Sequence, residues 1–126
     1  KMKKNKVSVI IFNENHWGCL ATLNNELPRI TLEEGQNLYQ GLELLREDLK
    51  IKWSNELLNY IIDTKDVTEY IFIVASKEKE DNLTWVSGSD TEKMGELKIN
   101  SKLLNDLTER FKNGFILDGT RYIEEE

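Results

Sequence analysis

His16 and Cys19 are the only histidine and the only cysteine of the chain, and they stand three positions apart. A thiol within hydrogen-bond reach of an imidazole is the minimum for nucleophilic catalysis, and Glu14 is close enough in sequence to orient the pair. The spacing works against it. On a strand, positions 16 and 19 point to opposite faces, and only across a turn could the two side chains meet. The economical reading is a turn histidine beside a buried thiol, since free cysteine is among the most buried residue types. One His and one Cys cannot supply the four N or S ligands of a structural zinc site. The sequence has no Walker motif, no GxGxxG and no GxSxG. Ser87-Gly88-Ser89-Asp90 and the loop with Asp63 and Asp66 lack the length and alternating oxygen donors of a calcium loop. No catalytic residue, no metal and no cofactor is therefore expected.

The carboxylates are more suggestive as a surface. Glu33-Glu34, Glu47-Asp48 and Glu80-Asp81 read as solvated helix or turn faces. Glu43 and Glu47 lie four apart, so on a helix they face the same way. Trp17, Trp53 and Trp85 are core anchors by default, yet tryptophan also anchors protein interfaces. In Leu83-Thr84-Trp85-Val86, Leu83 and Trp85 share one face of a strand. These residues define a candidate contact set: Glu43, Glu47 and Asp48 with Trp53, and Glu78, Glu80 and Asp81 with Trp85. An acidic surface around an aromatic anchor suits a basic partner.

The elements that position these groups are read from pattern. Val7–Phe12 is apolar and β-branched and predicts a buried strand, paired through the turn 13–16 with a second strand over Trp17–Leu23. Asn24-Asn25 and Pro28 mark the exit loop. Thr31-Leu32-Glu33-Glu34 reads as a capping box opening a helix. Leu38, Leu42, Leu45 and Leu49 form one helical stripe, and Leu57, Leu58, Ile61 and Ile62 extend it. An unbroken helix over 31–63 would be about 50 Å long, too long for a domain of this size, so a break is expected near Lys50–Ser54, with Ser54 capping a second helix. A short strand through Leu49, Ile51 and Trp53 is the rival. Tyr70–Ala75 predicts the clearest strand, Leu83–Val86 its hairpin partner, and Glu96–Ile99 a short third. Ser101 can cap a helix carrying Leu103, Leu104, Leu107 and Phe111, with Gly114 at its left-handed end. Asp118-Gly119 predicts a terminal hairpin between Phe115–Leu117 and Thr120–Ile123. The order ββ-αα-βββ-α-ββ points to an α+β fold: an antiparallel sheet built from hairpins, with helices on one face.

Composition sets the outer bounds. The chain has 126 residues, 39% of them hydrophobic and 32% charged, enough for one self-sufficient core. It is expected to be a single domain, 1–126, with a basic start (1–6) that frays and an acidic tail (124–126). The net charge is −6. It runs +3 over 1–30, −4 over 31–68 and −5 over 69–126. An acidic body repels phosphate backbones, which argues against nucleic-acid binding. There is no apolar run long enough to span a membrane and no secretory leader pattern. With a lone thiol this points to the cytoplasm. Thirteen Lys against four Arg suggests a low-GC genome.

Together these features describe a small acidic protein that is not an enzyme and that binds, and inhibits, a basic protein partner, in the manner of immunity proteins, antitoxins or phage counter-defence proteins. The alternatives are an oligomeric structural or accessory subunit pairing through strand edges, or a small-ligand-binding or enzymatic domain with its site near His16 and Cys19.

Overall fold

The computed structural model describes residues 3–78 and 81–125, with Trp17 described by its backbone alone. Its centre is a pair of parallel strands, β1 (Lys4–Asn13) and β5 (Val67–Ser76), matched residue for residue from Lys4↔Val67 to Asn13↔Ser76. Both carry the continuous apolar runs that a strand covered on two faces requires. Val7 to Phe12 and Ile71 to Ala75 are all buried. Around this pair the sheet is mixed. β2 (His16–Thr22) returns antiparallel to β1, β6 (Thr84–Ser87) pairs with β2, β4 (Trp53–Asp63) runs antiparallel to β5, and β7 (Arg121–Glu124) lies parallel to β4. The order is β6-β2-β1-β5-β4-β7, with β3 (Arg29–Thr31) beside the start of β1.

Helices cover both faces. On one, α1 (Leu38–Leu49) buries Leu42, Leu45 and Leu49 against Val7, Val9, Ile11, Phe72 and Val74. On the other, α2 (Thr91–Gly95) and α3 (Ser101–Lys112) bring Met94, Leu103 and Leu107 onto Ile10, Phe12, Leu20, Tyr60, Ile71 and Ile73. Alternation along β1 sorts Val7, Val9 and Ile11 to one helix layer, and Ile10 and Phe12 to the other. Among the described residues, no helix is long and apolar enough to cross a membrane.

The α+β class stands, but the all-antiparallel sheet with helices on one face does not: two strand pairs are parallel and the helices form two layers. The Thr31–Glu34 capping box is replaced by strand β3. The helix begins later, where Oδ1 of Asn37 accepts from Gln40 N at 2.9 Å and Oε1 of Gln40 accepts from Asn37 N at 2.8 Å. The break near Lys50 is real: Lys50 ends α1 in the left-handed conformation at φ 54°. Strand β4 comes next in the chain, in place of a second helix capped by Ser54. Leu83–Val86 supplies most of β6, which pairs with β2 instead of β5. Glu96–Ile99 forms no strand, and Asp118-Gly119 closes no hairpin, because β7 pairs with β4. Lys4–Lys6, expected to fray, belong to β1.

Candidate functional site

β1 and β5 both end at one edge, at Asn13 and Ser76. A cavity opens there on each side of the sheet.

On the α3 side the cavity is about 460 Å³ and is lined by Phe12, Gly18, Phe111, Gly114, Phe115 and Leu117. Phe12 is the last apolar residue of β1. Phe111 comes from the last turn of α3, and Gly114, at φ +84°, reverses the chain just beyond it so that Phe115 returns to the same place. The three rings meet one another. Phe12 and Phe111 are edge-to-face with centroids 5.8 Å apart, Phe12 and Phe115 edge-to-face at 5.0 Å, and Phe111 and Phe115 tilted at 5.0 Å. Such offset arrangements exploit the ring quadrupole. Two glycines keep the cavity open: a Cβ built on Gly18 or on Gly114 would meet nothing within 4 Å.

Behind Phe115 lies Arg110, only 5% exposed. Its guanidinium stacks on Phe115, with Cζ 4.0 Å from the ring centroid. Nη1 donates to Oδ1 of Asn59 and, at 2.8 Å, to the hydroxyl of Tyr60, while Nη2 donates to the carbonyl of Ile116 at 2.8 Å. Asp118 stands 3.7 Å away. Tyr60 passes the chain on, its hydroxyl donating to Asp106 at 2.5 Å. Burial and that carboxylate raise the Tyr60 pKa well above the usual tyrosine value. Asp106 and Asp118 both accept from Arg121. The loop that closes the cavity is thus pinned to the core through two buried side chains, Arg110 and Asn59, the latter donating to the carbonyl of Asp118 at 3.1 Å.

On the α1 side two smaller cavities flank Trp53. One, about 270 Å³, is bordered by Glu14, Lys52, Ser54, Lys77 and Glu78, and the other, about 300 Å³, by Glu43, Arg46, Asn55 and Glu56. The Trp53 indole N–H donates to Glu56 at 2.9 Å. Glu43 accepts from Arg46.

The expected contact set is partly assembled. Glu43 and Trp53 border one cavity and Trp53 and Glu78 the next, while Glu47 and Asp48 are exposed on α1. Asp81 is exposed beyond β5, and Glu80 lies outside the described residues. Trp85 is half-buried and packs with Leu83 on the α1 layer. His16 and Cys19 both belong to β2, in the stretch where its pairing with β1 is irregular, between Asn13↔His16 and Phe12↔Leu20. Between them, Gly18 lines the ring-walled cavity. Sequence reasoning singled out none of the residues that line this cavity. Phe12 and Gly18 read as strand positions, Phe111 and Gly114 as the end of a helix, and Phe115 and Leu117 as part of a hairpin.

No family model and no curated protein matches the sequence. Solved structures do match. A Nudix hydrolase from Nitrosomonas europaea superposes over 99% of this chain and 80% of its own with a TM-score of 0.77 at 10% identity. A MutT structure from work on the Aliivibrio salmonicida and Vibrio cholerae proteins covers 84% of this chain and 96% of its own, with a TM-score of 0.70 at 16% identity. The MutT protein of Bacillus halodurans covers 94% and 86%, with a TM-score of 0.61 at 14% identity. The chain has a Nudix-like fold. The reading as a non-catalytic inhibitor, of immunity-protein, antitoxin or counter-defence type, is overturned by this likeness, since the architecture is one found in hydrolases.

Hydrolases commonly draw on a divalent cation held by several carboxylate oxygens. The donor set here does not fit one. Among the described residues no three Asp, Glu, His or Cys side chains converge where an ion could sit. The carboxylates near α1 gather on a guanidinium instead: Glu43 binds Arg46, and Glu56 and Glu47 are near enough to stabilise its charge further.

Proposed function

We propose that the chain binds a small molecule bearing a flat ring, of about purine or indole size, in the cavity walled by Phe12, Phe111 and Phe115. The carrying observation is that cavity itself: three aromatic rings and two side-chain-free glycines around about 460 Å³, within the ordinary range for small-ligand sites. A ring inserted there stacks or meets edges on several sides, and each such contact adds to the gain from burial. A fold whose neighbours are hydrolases by name supports the same reading. The stretch between His16 and Cys19 takes part through Gly18.

Turnover of the bound compound is the second reading, favoured by the fold alone. A thermal-shift panel of nucleosides, nucleoside mono- and diphosphates and indoles tests the first. At least one compound should raise the melting temperature saturably, as any ligand of the folded state must, and Phe115→Ala should remove the shift. A panel that leaves melting unchanged contradicts the proposal. Chromatography of the binding compound after incubation, with and without magnesium, separates binding from turnover.

A further inference from the structure

We infer that this cavity selects neutral or anionic rings against organic cations, and that Arg110 is the residue that sets the preference. The inference rests on the cavity being a ligand site. Three phenylalanine rings around a cavity would ordinarily make a cage for a cation, because the negative faces of the rings attract positive charge. Here one of the three rings, that of Phe115, is already in use. Cζ of Arg110 lies 4.0 Å from the centroid of Phe115 and 5.4 Å from that of Tyr60, inside the roughly 6 Å reach of a cation–π contact. Phe115 lines the cavity and touches the guanidinium at once, so its π density is drawn toward a charge that is permanently present. A second cation meets a weakened ring and, behind it, a buried like charge in a medium that screens poorly.

The opposing carboxylates do not cancel this. Asp118 is 54% exposed, lies 3.7 Å from Arg110 and is shared with Arg121. Asp106 reaches Arg110 only through the Tyr60 hydroxyl and also binds Arg121. An anion or an electron-rich neutral ring gains from the same arrangement.

Three probes of one shape test it by calorimetry at neutral pH: 3-(indol-3-yl)propionate, its amide, and 3-(indol-3-yl)propylamine. The amide and the propionate should bind about tenfold more tightly than the amine. In Arg110→Met, which keeps length and apolar contact but removes the charge, the gap should shrink to about twofold or less. If that variant does not fold, Arg110→Gln decides, since it keeps a donor for Asn59 and Tyr60 but carries no charge, and should likewise narrow the gap. Equal affinity of amine and amide for the unmodified chain overturns the inference while leaving the ring site standing. A gap that persists in a folded Arg110→Met does the same. Failure of every ring compound to bind overturns both.

Discussion

A Cβ placed on Gly88 would stand 2.2 Å from Cγ of Phe111. The ring rests directly on the backbone just beyond β6, and the same glycine donates its N–H to the carbonyl of Gly18 at 2.7 Å. Gly88 thus ties the position of one wall of the cavity to the strand that forms another. The Gly88→Ala substitution must push the ring base aside, since Cγ cannot swing away as a flexible tip could. We expect a loss of about 1–3 kcal/mol, the usual cost of overpacking, read as a lower urea midpoint with unchanged slope. Binding of ring compounds should fall with it.

Gly18 offers the opposite experiment. Its added Cβ meets nothing within 4 Å, and the residue sits in a strand, where valine is at home. Gly18→Val should fill the cavity without strain. Stability should stay within about 1 kcal/mol of the original, while affinity for any ring ligand drops by about tenfold or more, the worth of one lost contact set. A variant that melts normally and binds normally would place the ligand elsewhere.

Lys50 holds a left-handed backbone, φ 54°, at the end of α1, while its N–H reaches the carbonyls of Arg46 and Glu47. A side chain costs roughly 1 kcal/mol there, and glycine does not carry that cost. Lys50→Gly should therefore stabilise the protein by about 0.5–1 kcal/mol in chemical denaturation. Destabilisation would mean that the Lys50 side chain contributes more than its backbone strain costs.

Asp63 gathers three donors: Lys3 at 2.6 Å, Tyr122 at 2.9 Å and Thr68 at 3.0 Å. They hold its pKa down at about 2, against about 3.9 for an ordinary aspartate. A depressed folded-state value means that the stabilisation is complete above the unfolded pKa and is lost as pH falls toward the folded one. The stability difference between the original and Asp63→Asn should be flat above about pH 5 and should vanish as the pH falls from about 4 to 2. An NMR titration of the Asp63 carboxyl carbon gives the midpoint directly, and Tyr122→Phe should raise it.

The elements that sequence reveals are those whose local pattern and tertiary role agree. The runs Val7–Phe12 and Tyr70–Ala75 are strands because both faces are covered, and Leu103, Leu107 and Phe111 mark α3 because that face packs on the sheet. β4 was hidden by its irregularities. Register shifts between Ser54 and Leu57 and between Leu58 and Tyr60, with Asn55 at φ 60°, break the two-residue alternation. Leu57, Leu58, Ile61 and Ile62 then mimic a helical stripe. Thr31 lost its role as a cap to a longer-range partner, Lys6 of β1. Asp118-Gly119 makes no hairpin because Ile116 gives its carbonyl to Arg110 instead of to a strand. The cavity draws on residues 12–18 and 111–117, which meet only through the pairing of β1 with β2 and the docking of α3, and no local spacing encodes that. Glu43 and Glu47 of α1 were conspicuous in sequence, but they surround Arg46.

If the ring-walled cavity is the ligand site, chemical-shift mapping on the labelled protein with the tightest ring compound from the panel shows it most directly. Saturable shifts are predicted at the amides of Gly18, Phe111, Gly114, Phe115 and Leu117, with the amides around Trp53 and Arg46 unmoved. Shifts centred on Trp53, or none at saturating ligand, would contradict it.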